Sequence, residues 1–253
     1  MDQFQLPGKL PTSTYVRLGI FFVLLLGFVS AIYNLVTMIT SPRVPAVVTE
    51  RATSVKEITR GDVTKRQVIF TFDGGSGAQS AQSILKTLAA HHVRGTFFLT
   101  GRFIEANPEI VKQIAEAGHE IFNHTYDHPH LTDVSDEDIA KELNSMEDML
   151  MNTTGHKSGP FFRPPYGDRD GRVLNQAFKD GYQSVYWTVD AGDWEESEGM
   201  TAVEVEDKIL NSLAPGNIYL MHIGDTITGN ILDGVFTKIE NQGYRIVSLT
   251  QGL

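Results

Sequence analysis

The chain has 253 residues, 41% of them hydrophobic and 21% charged, with a formal net charge of −10 and no cysteine. That apolar content excludes a wholly disordered chain, and the length allows one large domain or two small ones. The lack of cysteine excludes disulfides, thiolate catalysis and zinc fingers, and an acidic chain without Lys/Arg runs argues against nucleic acid as a partner.

The N-terminal residues differ from the rest. Leu18 to Pro42 carries no charged side chain and is mostly apolar. As a helix it would span about 37 Å, enough to cross a hydrocarbon core of about 30 Å with some tilt. We therefore expect a short cytoplasmic segment over 1–17, a transmembrane signal-anchor over 18–40 and a linker over 41–64 with room for a short strand. The folded domain, over 65–253, would lie outside the cytoplasm. The alternative is a secreted protein released at Val29-Ser30-Ala31, although Ile32, Leu35, Val36, Met38 and Ile39 continue the apolar run past that site.

Beyond the linker, β-rich runs alternate with helical patterns. The runs are Val68–Phe72, Gly95–Thr100, Glu120–Asn123, Phe161–Arg163, Ser184–Val189, Asn217–Met221 and Arg245–Leu249. Between them Ile84, Leu85 and Leu88 form one apolar stripe, and Ile110, Val111 and Ile114 another. Asn107-Pro108 reads as N-cap and first helical residue of the second, and Gly118 as its stop. Ser135 to Asp138 resembles a capping box before Ile139, Leu143, Met146 and Leu150. Further helices are expected over 172–179, 202–213 and 231–241. Such alternation implies a parallel sheet covered by helices, either an open doubly wound sheet or a closed barrel.

Five polar clusters follow predicted strands: Thr71-Phe-Asp-Gly-Gly75, Asn123-His-Thr-Tyr-Asp-His-Pro129, Arg163-Pro-Pro-Tyr-Gly167, Asp190-Ala-Gly-Asp-Trp194 and Leu220-Met-His222. All fall at carboxyl ends, the rim on which parallel α/β folds build their sites. His124 and His128, four apart at a strand exit, suit Zn²⁺ or a similar first-row ion. His130 fits a surface role, and His91, His92, His119 and His156 fit structural ones.

Together, and in this order, the clusters resemble the polysaccharide deacetylase family (NodB-homology domains, carbohydrate esterase family 4). The resemblance runs from about Lys65 to Leu253, and His-Thr-x-x-His-Pro and Arg-x-Pro-Tyr-Gly are its most specific parts. It implies a distorted (β/α)7 barrel and a metal-dependent hydrolase that removes acetyl groups from N-acetylated, sometimes O-acetylated, sugars. The expected cofactor is a divalent ion, Zn²⁺ ahead of Co²⁺, Mn²⁺ or Ni²⁺, held by His124 and His128. By the same resemblance Asp73 is the catalytic base, Arg163 holds its carboxylate, His222 is the general acid and Asp193 orients it. Trp194 and Leu220 match the pocket for the acetyl methyl. Tyr166 matches the position whose backbone N–H binds the oxyanion.

One position departs from the family pattern. Gly74 stands where the family carries a second aspartate that ligates the metal. Three compensations are open: extra water, Asp73 serving as both ligand and base, or Asp127 moving in. The expected function is deacetylation of an N-acetylglucosamine-containing polysaccharide at the cell surface, peptidoglycan or chitin-like. The alternatives are an O-acetyl esterase of xylan type and an inactive glycan-binding barrel. The expected partners are an acetylated glycan and, through the N-terminal helix, the membrane.

Overall fold

The computed structural model describes residues 25–32, 35, 56–75 and 77–253. Residues 25–32 are α-helical. The rest of the expected 18–40 span, bar residue 35, lies outside the described residues, as do the expected 1–17 segment and the linker up to residue 55. Among the described residues no helix is long and apolar enough to cross a membrane.

From residue 56 onward the chain forms a parallel sheet wrapped by helices. Strand β1 (Gln67–Gly74) is buried along its whole length, as its run of Val, Ile, Phe and Thr dictates for a central strand covered on both faces. Parallel neighbours follow in the order β5-β4-β3-β2-β1-β7-β6, and β8 (Arg245–Val247) pairs with the start of β1. The other strands are β2 (Thr96–Leu99), β3 (Glu120–Asn123), β4 (Phe161–Phe162), β5 (Gln183–Ser184), β6 (Val189–Asp190) and β7 (Ile218–His222). This half-barrel of parallel strands is consistent with the distorted (β/α)7 barrel.

Pleating sorts the side chains. Val68, Phe70 and Phe72 of β1 pack outward with Phe97, Leu99, Tyr219 and Met221 against the helices. Ile69 packs inward with Phe98, Phe122, Val185, Ile218 and Leu249. The period of two thus gives the barrel an apolar plug with polar residues at either end. At the amino end, buried Glu120 accepts from Thr96 Oγ1 at 3.0 Å and Ser248 Oγ at 2.8 Å and is also bonded to the Thr250 hydroxyl, pinning the C-terminal turn. At the carboxyl end the inward positions are Thr71, Asp73, His124, Arg163, Leu220 and His222.

One expected strand, 184–189, is broken in two. Val185 N still bonds to Phe162 O at 2.9 Å, but Tyr186 N turns to Ile58 O at 2.7 Å and Thr188 N to Ile218 O at 2.9 Å. The chain here crosses from one end of the sheet to the other, and stacked Tyr186 and Trp187 rings (3.8 Å) fill the crossing. Residues 57–61 bridge the same gap. Ile58 pairs with Val185, Glu57 binds Arg169 at 2.7 Å, and Gly61 N bonds to Gly216 O at 2.8 Å. The last residues of the expected linker are therefore part of the barrel wall.

The helices follow the apolar stripes. They are α1 (Ala81–Ala90), α2 (Gly101–Ala106), α3 (Pro108–Glu116), α4 (Asp136–Thr154), α5 (Gly171–Lys179), α6 (Ala202–Asn211), α7 (Ile227–Asn241) and the short α8 (Leu249–Gly252). Helix α2 was not expected; Thr100 caps it, its hydroxyl accepting from Phe103 N at 3.0 Å. Asn107 occupies the N-cap of α3, but its amide donates to Phe103 O at 3.1 Å and so serves the end of α2 instead. Ser135 caps α4 through Asp138 N at 3.1 Å, while the Asp138 carboxylate accepts from the Ser135 hydroxyl rather than from its backbone, so only half the capping box forms.

Candidate active site

The five polar clusters meet at the carboxyl end of the barrel. They line a cavity of about 670 Å³ bounded by Asp73, His124, His128, Tyr166, Trp194, Leu220 and His222, among others. Parallel pairing sets the register: Asp73 on β1 lies opposite His222 on β7, so the expected base and acid stand side by side on neighbouring strands.

On one side stands Asp73 with Arg163. Arg163 is fully buried, and its Nη1 donates to Asp73 Oδ1 at 2.6 Å and to Thr71 Oγ1 at 2.9 Å. Its Nε and Nη2 donate to the carbonyls of Val185 and Tyr186 at 3.3 and 3.4 Å, and the guanidinium lies 4.2 Å from the Phe98 ring centroid. Burial pulls the Arg163 pKa below the ordinary arginine value, against the opposing pull of Asp73. Five fixed donors in a plane suit this carbonyl-lined slot as a lysine would not.

On the other side stands His222 with Asp193. His222 Nδ1 lies 3.0 Å from Asp193 Oδ1, and its backbone N donates to Asp193 Oδ2 at 2.6 Å. Thr228 Oγ1 adds a third donor at 2.6 Å. Burial opposes the imidazolium, but the Asp193 hydrogen bond and charge outweigh it, so the His222 pKa lies above the ordinary histidine value. Burial likewise raises the Asp193 pKa, yet the His222 and Thr228 bonds bring it below the usual aspartate value.

The two expected metal-ligating histidines are adjacent, with ring centroids 4.9 Å apart. His124 Nδ1 bonds to the Arg163 carbonyl at 2.8 Å, so this nitrogen carries the proton and the lone pair lies on Nε2. Nε2 is 3.5 Å from Asp73 Oδ2. Burial lowers the pKa of both rings, that of His128 to about 4, so both are neutral donors near pH 7. The loop that carries them is bent at left-handed positions, Thr125 (φ 65°) and His128 (φ 61°), and Tyr166 opposite has φ 58°. Such conformations cost free energy for residues other than glycine and need support from their surroundings. Here Thr125 N donates to Asn123 Oδ1 at 2.9 Å, and Tyr126 N and Asp127 N both donate to Glu142 Oε2 at 2.8 Å.

The imidazole pair fits a divalent first-row cation in tautomer and charge. Among the described residues, however, no three His, Asp or Glu side chains are grouped as a complete ligand set. Gly74, the position expected of a third ligand, faces away from the imidazole pair. It does not have positive φ, and a Cβ there would meet Leu99 Cδ2 at 2.7 Å, Ile223 Cδ1 at 3.1 Å and Phe103 Cγ at 3.2 Å. These three belong to the outer apolar layer. Asp127 does not move in. Its carboxylate is half exposed and bound to Arg102 Nε at 2.6 Å.

The remaining expected residues sit on the rim or wall. Leu220 is buried in the cavity wall, while Trp194 and Tyr166 are exposed at its mouth. His130 stacks on Tyr166 (4.2 Å, 14°), a ring that also packs against His128 (4.4 Å), and its Nδ1 lies 3.2 Å from Asp168 Oδ2. Asp190, quoted in its cluster but given no role, also lines the cavity, as do Trp187 and Asp225, which sequence reasoning missed. Asp225 could have been found as a polar residue just past the β7 rim.

Comparison with known proteins agrees with this geometry. The family model described as polysaccharide deacetylase matches residues 60–211. A peptidoglycan-N-acetylglucosamine deacetylase of Bacillus cereus is 35% identical over 193 residues, covering 75% of this chain and 69% of that one. The peptidoglycan-N-acetylmuramic acid deacetylase PdaA of Bacillus subtilis is 32% identical over 189 residues, covering 75% and 72%. Among solved structures, a CE4 family pseudoenzyme from Bacillus anthracis superposes with a TM-score of 0.74 at 31% identity, covering 79% of this chain and 69% of that one. A mutant of that pseudoenzyme is described as having restored enzymatic activity.

Proposed function

Since the chain belongs to the polysaccharide deacetylase family, we propose that it hydrolyses N-acetyl groups of an N-acetylglucosamine-containing polysaccharide at the cell surface, peptidoglycan or a chitin-like polymer. The observation that carries this reading is the pairing of functions across one cavity. A carboxylate fixed by a buried arginine stands beside an imidazole fixed by a buried aspartate. Glycan binding alone has no use for either pair.

Asp73 takes the proton of the attacking water, and Arg163 holds the Asp73 carboxylate so that Oδ2 faces the cavity. His222, kept protonated by Asp193, delivers a proton to the departing amine. The Tyr166 backbone N–H faces the developing oxyanion, and Leu220 with Trp194 receives the acetyl methyl. A divalent ion, Zn²⁺ ahead of Co²⁺, Mn²⁺ or Ni²⁺, held by His124 and His128, supplies Lewis acidity toward water and the acetyl carbonyl when bound. The apolar 18–40 segment supports a single-pass anchor with the barrel outside the cytoplasm, or secretion if it is cleaved.

Gly74 and the similarity to a pseudoenzyme support a second reading, a barrel that binds glycan without turnover. Acetate release from N-acetyl chito-oligosaccharide, with acetylated xylan in parallel, separates the readings. Release from the first supports N-deacetylation, release from xylan alone makes the protein an O-acetyl esterase, and binding without release makes it a glycan-binding barrel.

A further inference from the structure

The proposed mechanism leaves one buried carboxyl of the cavity unused. Asp225 lies three residues past His222, between β7 and α7, and is only 8% exposed. Its Oδ1 accepts from Thr228 N at 2.7 Å, and its carbonyl from Ser80 Oγ at 2.5 Å. Among the described residues its Oδ2 is buried with no hydrogen-bond donor. The group within reach is a second carboxyl, that of Asp193. Thr228 clamps the two, donating its hydroxyl to Asp193 Oδ2 and its backbone N–H to Asp225 Oδ1.

Donors are shared unevenly between the two acids. Asp193 is bonded to His222 through N and Nδ1 and to the Thr228 hydroxyl, whereas Asp225 has a single donor for two oxygens. Two adjacent buried carboxyls resist double ionisation, and the proton settles on the one with fewer donors. We propose that Asp225 is held as the neutral acid, donates its hydrogen bond to the Asp193 carboxylate, and thereby acts as a positioning residue for His222.

Burial and the Asp193 charge push the Asp225 carboxyl up to about 7. The other titratable groups around this pair are His222 on β7, Glu196 in the turn after Asp193, Asp190 on β6 and Asp73 on β1, and His124 and His128 act on His222 from the far side of the cavity. Glu196 is bonded to Thr226 N and Oγ1 beside Asp225, which keeps its pKa below the usual glutamate value. When Asp225 ionises, a new negative charge arises near His222 and favours the imidazolium. His222 then keeps its proton to higher pH than Asp193 alone would allow.

The inference builds on His222 as proton donor, but its test needs no substrate. The test is an NMR titration of the full chain, following the His222 ring and the Asp side-chain carboxyl carbons. We expect one aspartate carboxyl to titrate near neutral pH and the His222 curve to show two steps. In Asp225→Asn, whose amide donates but never ionises, the His222 curve should become single and fall by on the order of one pH unit. Asp225→Ala, lacking the donor to Asp193, should leave His222 titrating above the Asn variant. Wild-type carboxyls that all titrate below pH 5 would overturn the proposal even if the variants failed to fold. So would an unchanged His222 curve in a folded Asp225→Asn protein. Either result would leave the deacetylase reading untouched, because acetate release is measured separately.

Discussion

Replacing Arg163 by Met keeps most of the aliphatic volume and removes the charge. Four hydrogen bonds vanish, to Asp73, Thr71, Val185 and Tyr186, and Asp73 stays buried beside an uncharged thioether. Breaking a buried pair from one side costs about 3–5 kcal/mol, a large share of the roughly 5–15 kcal/mol that holds a typical domain together. Part of that cost is the orphaned charge, which a neutral isostere at Asp73 removes. Urea unfolding at pH 7 should show the loss, and adding Asp73→Asn should recover part of it. A loss under about 1 kcal/mol, or no recovery on adding Asp73→Asn, would refute the claim that Arg163 exists to carry the Asp73 charge.

The other predictions concern the cavity. His124→Ala and His128→Ala should each abolish most zinc binding by titration calorimetry, whereas His130→Ala, which loses a stack on Tyr166 and a contact to Asp168, should not; equal affinity throughout would remove the metal assignment. His222→Ala should slow amide hydrolysis by about 10²–10⁴-fold and an activated aryl ester less, because a good leaving group needs little protonation; equal losses would make His222 a binding or structural residue. Gly74→Asp should lower stability by about 1–3 kcal/mol in thermal melts through overpacking against Leu99, Ile223 and Phe103, and Leu99→Ala in the same chain should relieve it. A variant as stable as wild type would mean that residue 74 does not face the apolar layer.

Alternation of apolar runs with helical stripes made the parallel α/β sheet legible, because a strand buried on both faces has to be apolar throughout. The rim was legible too, since polar residues cannot continue such strands. What the sequence hid was geometry set by distant partners. Helix α2 is too short to show a period. Strand 184–189 breaks because residues 57–61 take up Tyr186 and Thr188, a pairing no local pattern encodes. Asn107 looked like a cap and turned back to serve another helix. Asp127, chemically suited to a cation, is claimed by Arg102. Asp225 carries no motif, and only its burial beside Asp193 singles it out.

Stripping the full chain with a chelator, then following acetate release from N-acetyl chito-oligosaccharide as zinc is added back, tests the central claim most directly. The account predicts no release from stripped protein, saturable recovery with zinc, and no recovery in the His124→Ala/His128→Ala double variant. Glycan binding without acetate release at any zinc concentration would contradict it.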